Sequence, residues 1–172
     1  MTKFGEEPIL AGPVDQRPIE RRSDVLVYTS RPLEHDLEVT GPIELILYAA
    51  SSARDTDFTA KLIDVFPDGR AMNITEGIIR ARFRHTDQKP ELLEPGEIDE
   101  YKIQLYPTSN VFRSGHRIRL DISSSNFPRF SRNLNTGEDV ATGTRCEVAR
   151  QTVVHNNQYP SHITLPVIPR AT

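Results

Sequence analysis

The sequence predicts an all-β protein, a sandwich of two sheets or a jelly roll, and three observations carry that expectation. Apolar and polar side chains alternate with period 2 in several separate stretches, most cleanly over residues 116–122, where Ile118, Leu120 and Ile122 oppose Arg117, Arg119 and Asp121. Turn-forming Gly, Pro, Asn and Asp residues separate these stretches at regular intervals. Val, Ile and Thr are plentiful, there are 13 Pro and no Trp, and no window holds an apolar stripe with helical spacing.

Residues 1–22, with Pro8, Pro13 and Pro18 and little periodicity, read as an extended Pro-rich lead-in, and the domain proper runs over residues 23–172. Residues 24–30 alternate Val25, Val27 and Thr29 against Leu26 and Tyr28 and form the first strand, ended by Arg31-Pro32. Residues 37–40 and 43–50 make a strand pair, or one strand interrupted at Gly41-Pro42. Pro42 has no N–H to give a ladder and calls for a bulge or an edge. After a polar loop over residues 51–57, residues 58–66 and 71–84 form a hairpin around Pro67-Asp68-Gly69. In its second arm Ile79, Ala81 and Phe83 alternate with Arg80, Arg82 and Arg84, which puts three cations on one sheet face at intervals of about 7 Å. A solvated outer face with cross-strand carboxylates, or an interdomain contact, would accommodate that row. Residues 85–95 are a loop. Residues 97–105 are a strand with Tyr101, Ile103 and Leu105 facing in, and residues 107–110 turn into the 116–122 strand. Beyond Gly143, residues 147–155 and 162–168 read as a final hairpin around a turn at 156–160. The total is eight or nine strands, and periodicity alone leaves their topology open.

At 172 residues the chain suits one domain with one core. A net charge of −3, with 21 basic and 24 acidic side chains interspersed, gives no electrostatic footprint for nucleic acid or an anionic membrane. No run of eighteen apolar residues and no leader pattern occurs, and the single Cys146, expected to be buried, provides no disulfide framework. A cytoplasmic location is the expectation.

The stretch over residues 113–137 is the most informative. Ser123 to Asn126 break the alternation with four small polar side chains, and Phe127, Pro128 and Phe130 follow, interleaved with Arg129, Arg132, Asn133, Asn135, Thr136 and Gly137. Such groups cost too much ordering entropy to be gathered in one loop without a defined shape. The string SGHRIRLDISSSNFPRFSRNLNTG resembles the C-terminal domain of the X-Pro dipeptidyl-peptidase and cocaine-esterase-like serine hydrolases. Asp15–Pro18 (DQRP), DVLVYTSRPL, VTGP, TDFTAKLIDVFPDG and EGIIRARFR support the likeness. The resemblance implies a jelly-roll β-sandwich of the galactose-binding-like kind, a parent activity on peptide or ester acyl bonds, and an α/β-hydrolase domain in cis that carries a Ser-Asp-His triad.

None of that triad's setting is present in this sequence. No glycine is followed two residues later by serine, so the G-x-S-x-G elbow is missing, as are a glycine-rich oxyanion segment and a βαβ pattern. No catalytic residue, cofactor or metal is therefore expected. Of the five histidines only His155 and His162 are plausible neighbours, which is too few ligands for a metal. Asp55, Asp57 and Asp64 lack the spacing of a calcium loop and read as turn caps, and Asn73-Ile74-Thr75 fits a glycosylation sequon of a kind common by chance. Asn133, Asn135 and Thr136 suit turn capping while Arg129 and Arg132 pair with carboxylates or carbonyls. The functional alternative makes the Phe127–Arg132 loop and the loop over residues 51–58 interdomain contacts that wall a substrate cleft. The residues expected there are Asp55, Asp57, Phe58, Phe127, Arg129, Phe130 and Arg132. The expected partner is the α/β-hydrolase domain, with a second copy of the chain as an alternative. The rival functions are a free-standing carbohydrate or small-ligand module, by fold analogy alone, and a dimerisation element.

Overall fold

A 15-residue strand, β2 (Leu37–Ser51), is the spine of one of two antiparallel sheets in the computed structural model, which describes residues 12–169. Its inward residues Val39, Ile43, Leu45, Leu47 and Ala49 are all buried. Strand β5 (Asp99–Phe112) pairs along one side of β2, and β7 (Gln151–Val154), β8 (His162–Thr164) and β9 (Val167–Ile168) follow one another along the other. The second sheet has the order β1-β6-β3-β4, formed by β1 (Leu26–Thr29), β6 (Arg117–Ser123), β3 (Asp57–Val65) and β4 (Ala71–Arg80). Phe58, Ala60, Leu62 and Ile122 from this sheet meet the β2 row and Tyr101, Ile103 and Leu105 of β5 to make the core. This is the predicted all-β sandwich.

The predicted break at Gly41-Pro42 is a β-bulge within one strand. Gly41 pairs with Thr108 and Ile43 with Leu105, so two residues, Tyr106 and Pro107, oppose Pro42. Gly41 has φ +134°, a conformation that side chains disfavour. Because the bulge needs no ladder bond from either proline, β5 runs straight through Pro107. That corrects the turn expected at residues 107–110. The final hairpin is also corrected: β7 and β8 do not pair with each other but bind β2 in succession, at Tyr48↔Val154 and Ile46↔His162. Residues 155–161 leave and rejoin the same edge. The hairpin of β3 and β4 is as expected, with register from Asp57↔Arg80 to Val65↔Ala71.

The lead-in is more structured than its prolines suggest. Asp15 bridges to Met72, and Arg17–Glu20 form a single helical turn, α1, with Pro18 in its first turn, where a missing N–H costs nothing. Residues 1–11 of the predicted lead-in lie outside the described residues. Together α1 and its flanks lie against the outer face of the four-stranded sheet. There the Arg119 Nη1 donates to Glu20 Oε2 at 2.6 Å and the Lys61 Nζ donates to Gln16 Oε1 at 3.1 Å. Strand β3 is consequently buried on both faces.

The sandwich is not evenly spaced. On the β4–β5 side a Cβ on Gly77 would lie 2.4 Å from the Gln104 carbonyl oxygen, so glycine alone permits the two strands their approach. On the opposite side, beneath β1, the sheets part. They leave a cleft of about 440 Å³ between Tyr28 and Leu120 on one sheet and Leu45, Leu47 and Val153 on the other.

Candidate functional site

Three crossover loops meet at one end of the sandwich, and a buried ionic network ties them. Asp55, with 0 % exposure, accepts from the Arg82 backbone N at 3.1 Å and Arg82 Nε at 2.8 Å. Asp57, also buried, accepts from Arg80 Nε at 3.0 Å. Asn133 Nδ2 donates to both carboxylates, at 2.8 Å each, and Arg82 Nη2 reaches the Glu138 carbonyl at 3.0 Å. The arginines reach these partners because β4 stops at Arg80 and a 3-10 turn, Ala81–Phe83, follows. This corrects the expected row of three cations on one sheet face. The turn aims Arg82 at Asp55, and Arg84 at Asp99 at 3.0 Å. Asp55 and Asp57 are ion-pair partners rather than turn caps, and Asp64 binds His116 Nδ1 at 2.9 Å.

This network holds the loop after β6 in place from below. Asn135 adopts the left-handed φ of +63° that Asn tolerates, its N–H donates to Asn133 Oδ1, and Thr136 Oγ1 accepts from the Glu138 N–H. A second anchor is Glu76, buried on β4, which accepts from Asn126 Nδ2 at 2.7 Å and pairs with Arg129 Nε at 2.6 Å. The Arg129 guanidinium lies 5.6 Å from the Tyr106 ring centroid and 5.8 Å from that of Phe130. The surface so built exposes Phe127 at 54 % and Tyr106 at 55 %, with Arg129 and Arg132 beside them.

Of the residues expected at this site, Phe127, Arg129 and Arg132 present surface and Phe130 is half-buried. Asp55, Asp57 and Phe58 are interior and shape the site without facing outward. The Phe58 ring packs 4.7 Å from that of Tyr101. Glu76 and Tyr106 were not singled out by sequence reasoning, and Asn126 read only as one of the small polar side chains that end β6. Tyr106 follows the inward Leu105 in a strand of clean alternation, so its outward direction was readable, but its neighbour Arg129 comes from a distant loop. Cys146 is exposed in the long crossing between β6 and β7, not buried as expected. His162 Nδ1 is 2.7 Å from the Pro160 carbonyl and His155 meets Tyr28 edge-on. No group of three or more His, Cys, Asp or Glu side chains among the described residues could hold a metal ion.

Beside Phe127, on the same outer face, lies a pit of about 510 Å³. Asp121 lines it, on the β6 face that alternation assigned to solvent, yet only 5 % of it is exposed because α1 and the loop over residues 123–132 surround it. Its Oδ1 is buried without a hydrogen-bond partner, as is Oε1 of Glu20. Burial, then the Glu20 charge, push the Asp121 carboxyl up to about 7, against the opposing pull of Arg119 and Lys61.

Comparison with known proteins places this surface in context. The model of the X-Pro dipeptidyl-peptidase C-terminal non-catalytic domain matches residues 4–164. Cocaine esterase from Rhodococcus sp. (strain MB1 Bresler) is 51% identical over 161 residues, which cover 92% of this chain and 28% of that protein. An aminopeptidase from a marine sediment Thaumarchaeota archaeon superposes with a TM-score of 0.87 at 33% identity, over 90% of this chain and 27% of that one. An alpha-amino acid ester hydrolase superposes with a TM-score of 0.86 at 30% identity over the same shares. The chain thus spans little more than a quarter of these relatives' length. With the match running almost end to end and the sandwich shared, the chain belongs to the X-Pro dipeptidyl-peptidase C-terminal non-catalytic domain family.

Proposed function

We propose that the chain packs against an α/β-hydrolase domain, supports it and helps to wall its substrate cleft, and that it performs no acyl transfer by itself. The parent activity would be hydrolysis of peptide or ester acyl bonds. The observation that carries this reading is the exposed patch of Phe127, Tyr106, Arg129 and Arg132, because its support from Glu76 and Asn133 fixes large side chains in water. An ordered aromatic and arginine surface of this kind is what an interface core needs. The missing nucleophile elbow supports the non-catalytic part of the reading, and the lone cysteine agrees with a cytoplasmic setting.

Calorimetry with a family-matched hydrolase domain supplied separately tests the docking. The wild-type chain should bind, and Phe127→Ala should weaken binding at least tenfold. No binding by the wild type, together with binding to a panel of sugars, would replace this reading with the carbohydrate module. Concentration-dependent self-association without hydrolase binding would favour the dimerisation element. The chain alone should leave aryl esters and X-Pro anilides intact. Turnover that co-purifies with it and is blocked by a fluorophosphonate would overturn the non-catalytic reading.

A further inference from the structure

We infer that the pit around Asp121 is a socket for one cationic side chain, lysine or arginine, of the catalytic domain. The inference rests on the docking reading above and names the chemistry at its centre. An unpaired buried carboxylate oxygen is costly, and Asp121, which carries one, lines the pit. The cations already nearby are committed elsewhere: Arg22 pairs with Asp24 at 2.6 Å, Arg119 with Glu20, and Lys61 with Gln16 and, at 4.0 Å, with Glu76. Arg132, exposed at the mouth, is the remaining charged lining residue and is screened by solvent. Asp121 and Glu20 thus retain unmet acceptor capacity in the interior.

The rest of the lining suits the same occupant. Ser124 and Asn126 offer oxygen acceptors for the remaining N–H groups of an ammonium or guanidinium. Ile19, exposed at 42 %, and Phe127 stand at the rim, where they would cover the methylene stem and exclude water around the charge. The occupant comes from the catalytic domain because the relatives continue for nearly three quarters of their length outside the matched region, and the rim is continuous with the Phe127 patch.

The test titrates the whole chain with methylguanidinium, n-butylammonium and, as a charged control without N–H donors, tetramethylammonium, followed by amide chemical shifts. The first two should give saturable shifts centred on residues 121–127 and α1, and the third none. Asp121→Asn should weaken the response at least tenfold. Ser125→Arg, at an exposed position on the rim, should block it by filling the mouth. Binding should weaken as the pH falls below about 7, because protonating Asp121 removes the charge. Equal response in Asp121→Asn, equal response to tetramethylammonium, or no saturable shift would overturn the socket. The same variants are then offered the separate hydrolase domain. Equal binding by wild type and Asp121→Asn would overturn the socket and leave the docking reading standing. Probe binding without any domain binding would overturn the docking reading, and this occupant with it.

Discussion

Asp121 carries its charge at a cost, and the sign of that cost can be measured. Its folded pKa of about 7 lies above the unfolded value of about 3.9, so the folded chain binds the extra proton between those limits. The associated stability is fully present below about pH 4 and is lost as the pH rises through 7. Replacing the carboxyl by a neutral isostere should remove the penalty. Asp121→Asn should raise stability by on the order of 1–3 kcal/mol at pH 8 and change it little at pH 4, as read from urea unfolding at the two values. Asp55 is the opposite case, a buried charge with partners. Asp55→Ala strands Arg82 and part of Asn133 and should cost about 3–5 kcal/mol, whereas Asp24→Ala, in an exposed pair with Arg22, should cost under about 1 kcal/mol in the same assay. Neither aspartate's partners were legible in the sequence. Asp55 looked like a turn cap because Arg82, by period 2, belonged to the far face, and the 3-10 turn that redirects it carries no local signature. Asp121 looked solvated because one turn of helix is too short to show a hydrophobic period.

Strands with one clean inward row were legible, and those whose partners lie far along the chain were not. The rows of β2 and β5 and the β3–β4 hairpin follow from alternation plus an adjacent turn. The mistaken final hairpin arose because β7 and β8 are sequence neighbours, and neighbours usually pair. Here β2 is long enough to take both in succession, which no local signal encodes. Of the two prolines that fall within strands one misled: Pro42 announced the bulge, while Pro107 read as a turn because its place opposite Pro42 depends on cross-strand register. Depth within an element sets the expected cost of truncation. Ile43→Ala, on the buried row of β2 away from the cleft, should cost about 2–5 kcal/mol, and Leu120→Ala, half-buried on the cleft beneath β1, about 1–2 kcal/mol. Similar denaturation midpoints for the two variants would show that the cleft side packs as tightly as the centre.

At the scale of the whole molecule, the two-sheet architecture was readable because strand count and spacing constrain it. The proposed docking face was only half readable: the Phe127–Arg132 stretch stood out by composition, while Glu76 and Tyr106 come together with it only through the fold. The uneven spacing of the sheets has a dynamic consequence. With Gly77 pressed against the Gln104 carbonyl on one side and the cleft beneath β1 on the other, the sandwich resembles a book whose spine runs along β4 and β5. Opening should start at the page edge. In deuterated buffer the amide protons of β1 and β7 should therefore be replaced first, through local openings, and those at the centres of β3 and β5 last, at the rate of global unfolding. Gly77→Ala, by forcing the spine apart, should narrow that spread by speeding the slow set and leaving β1 almost unchanged, a pattern that mass spectrometry of peptide fragments would resolve.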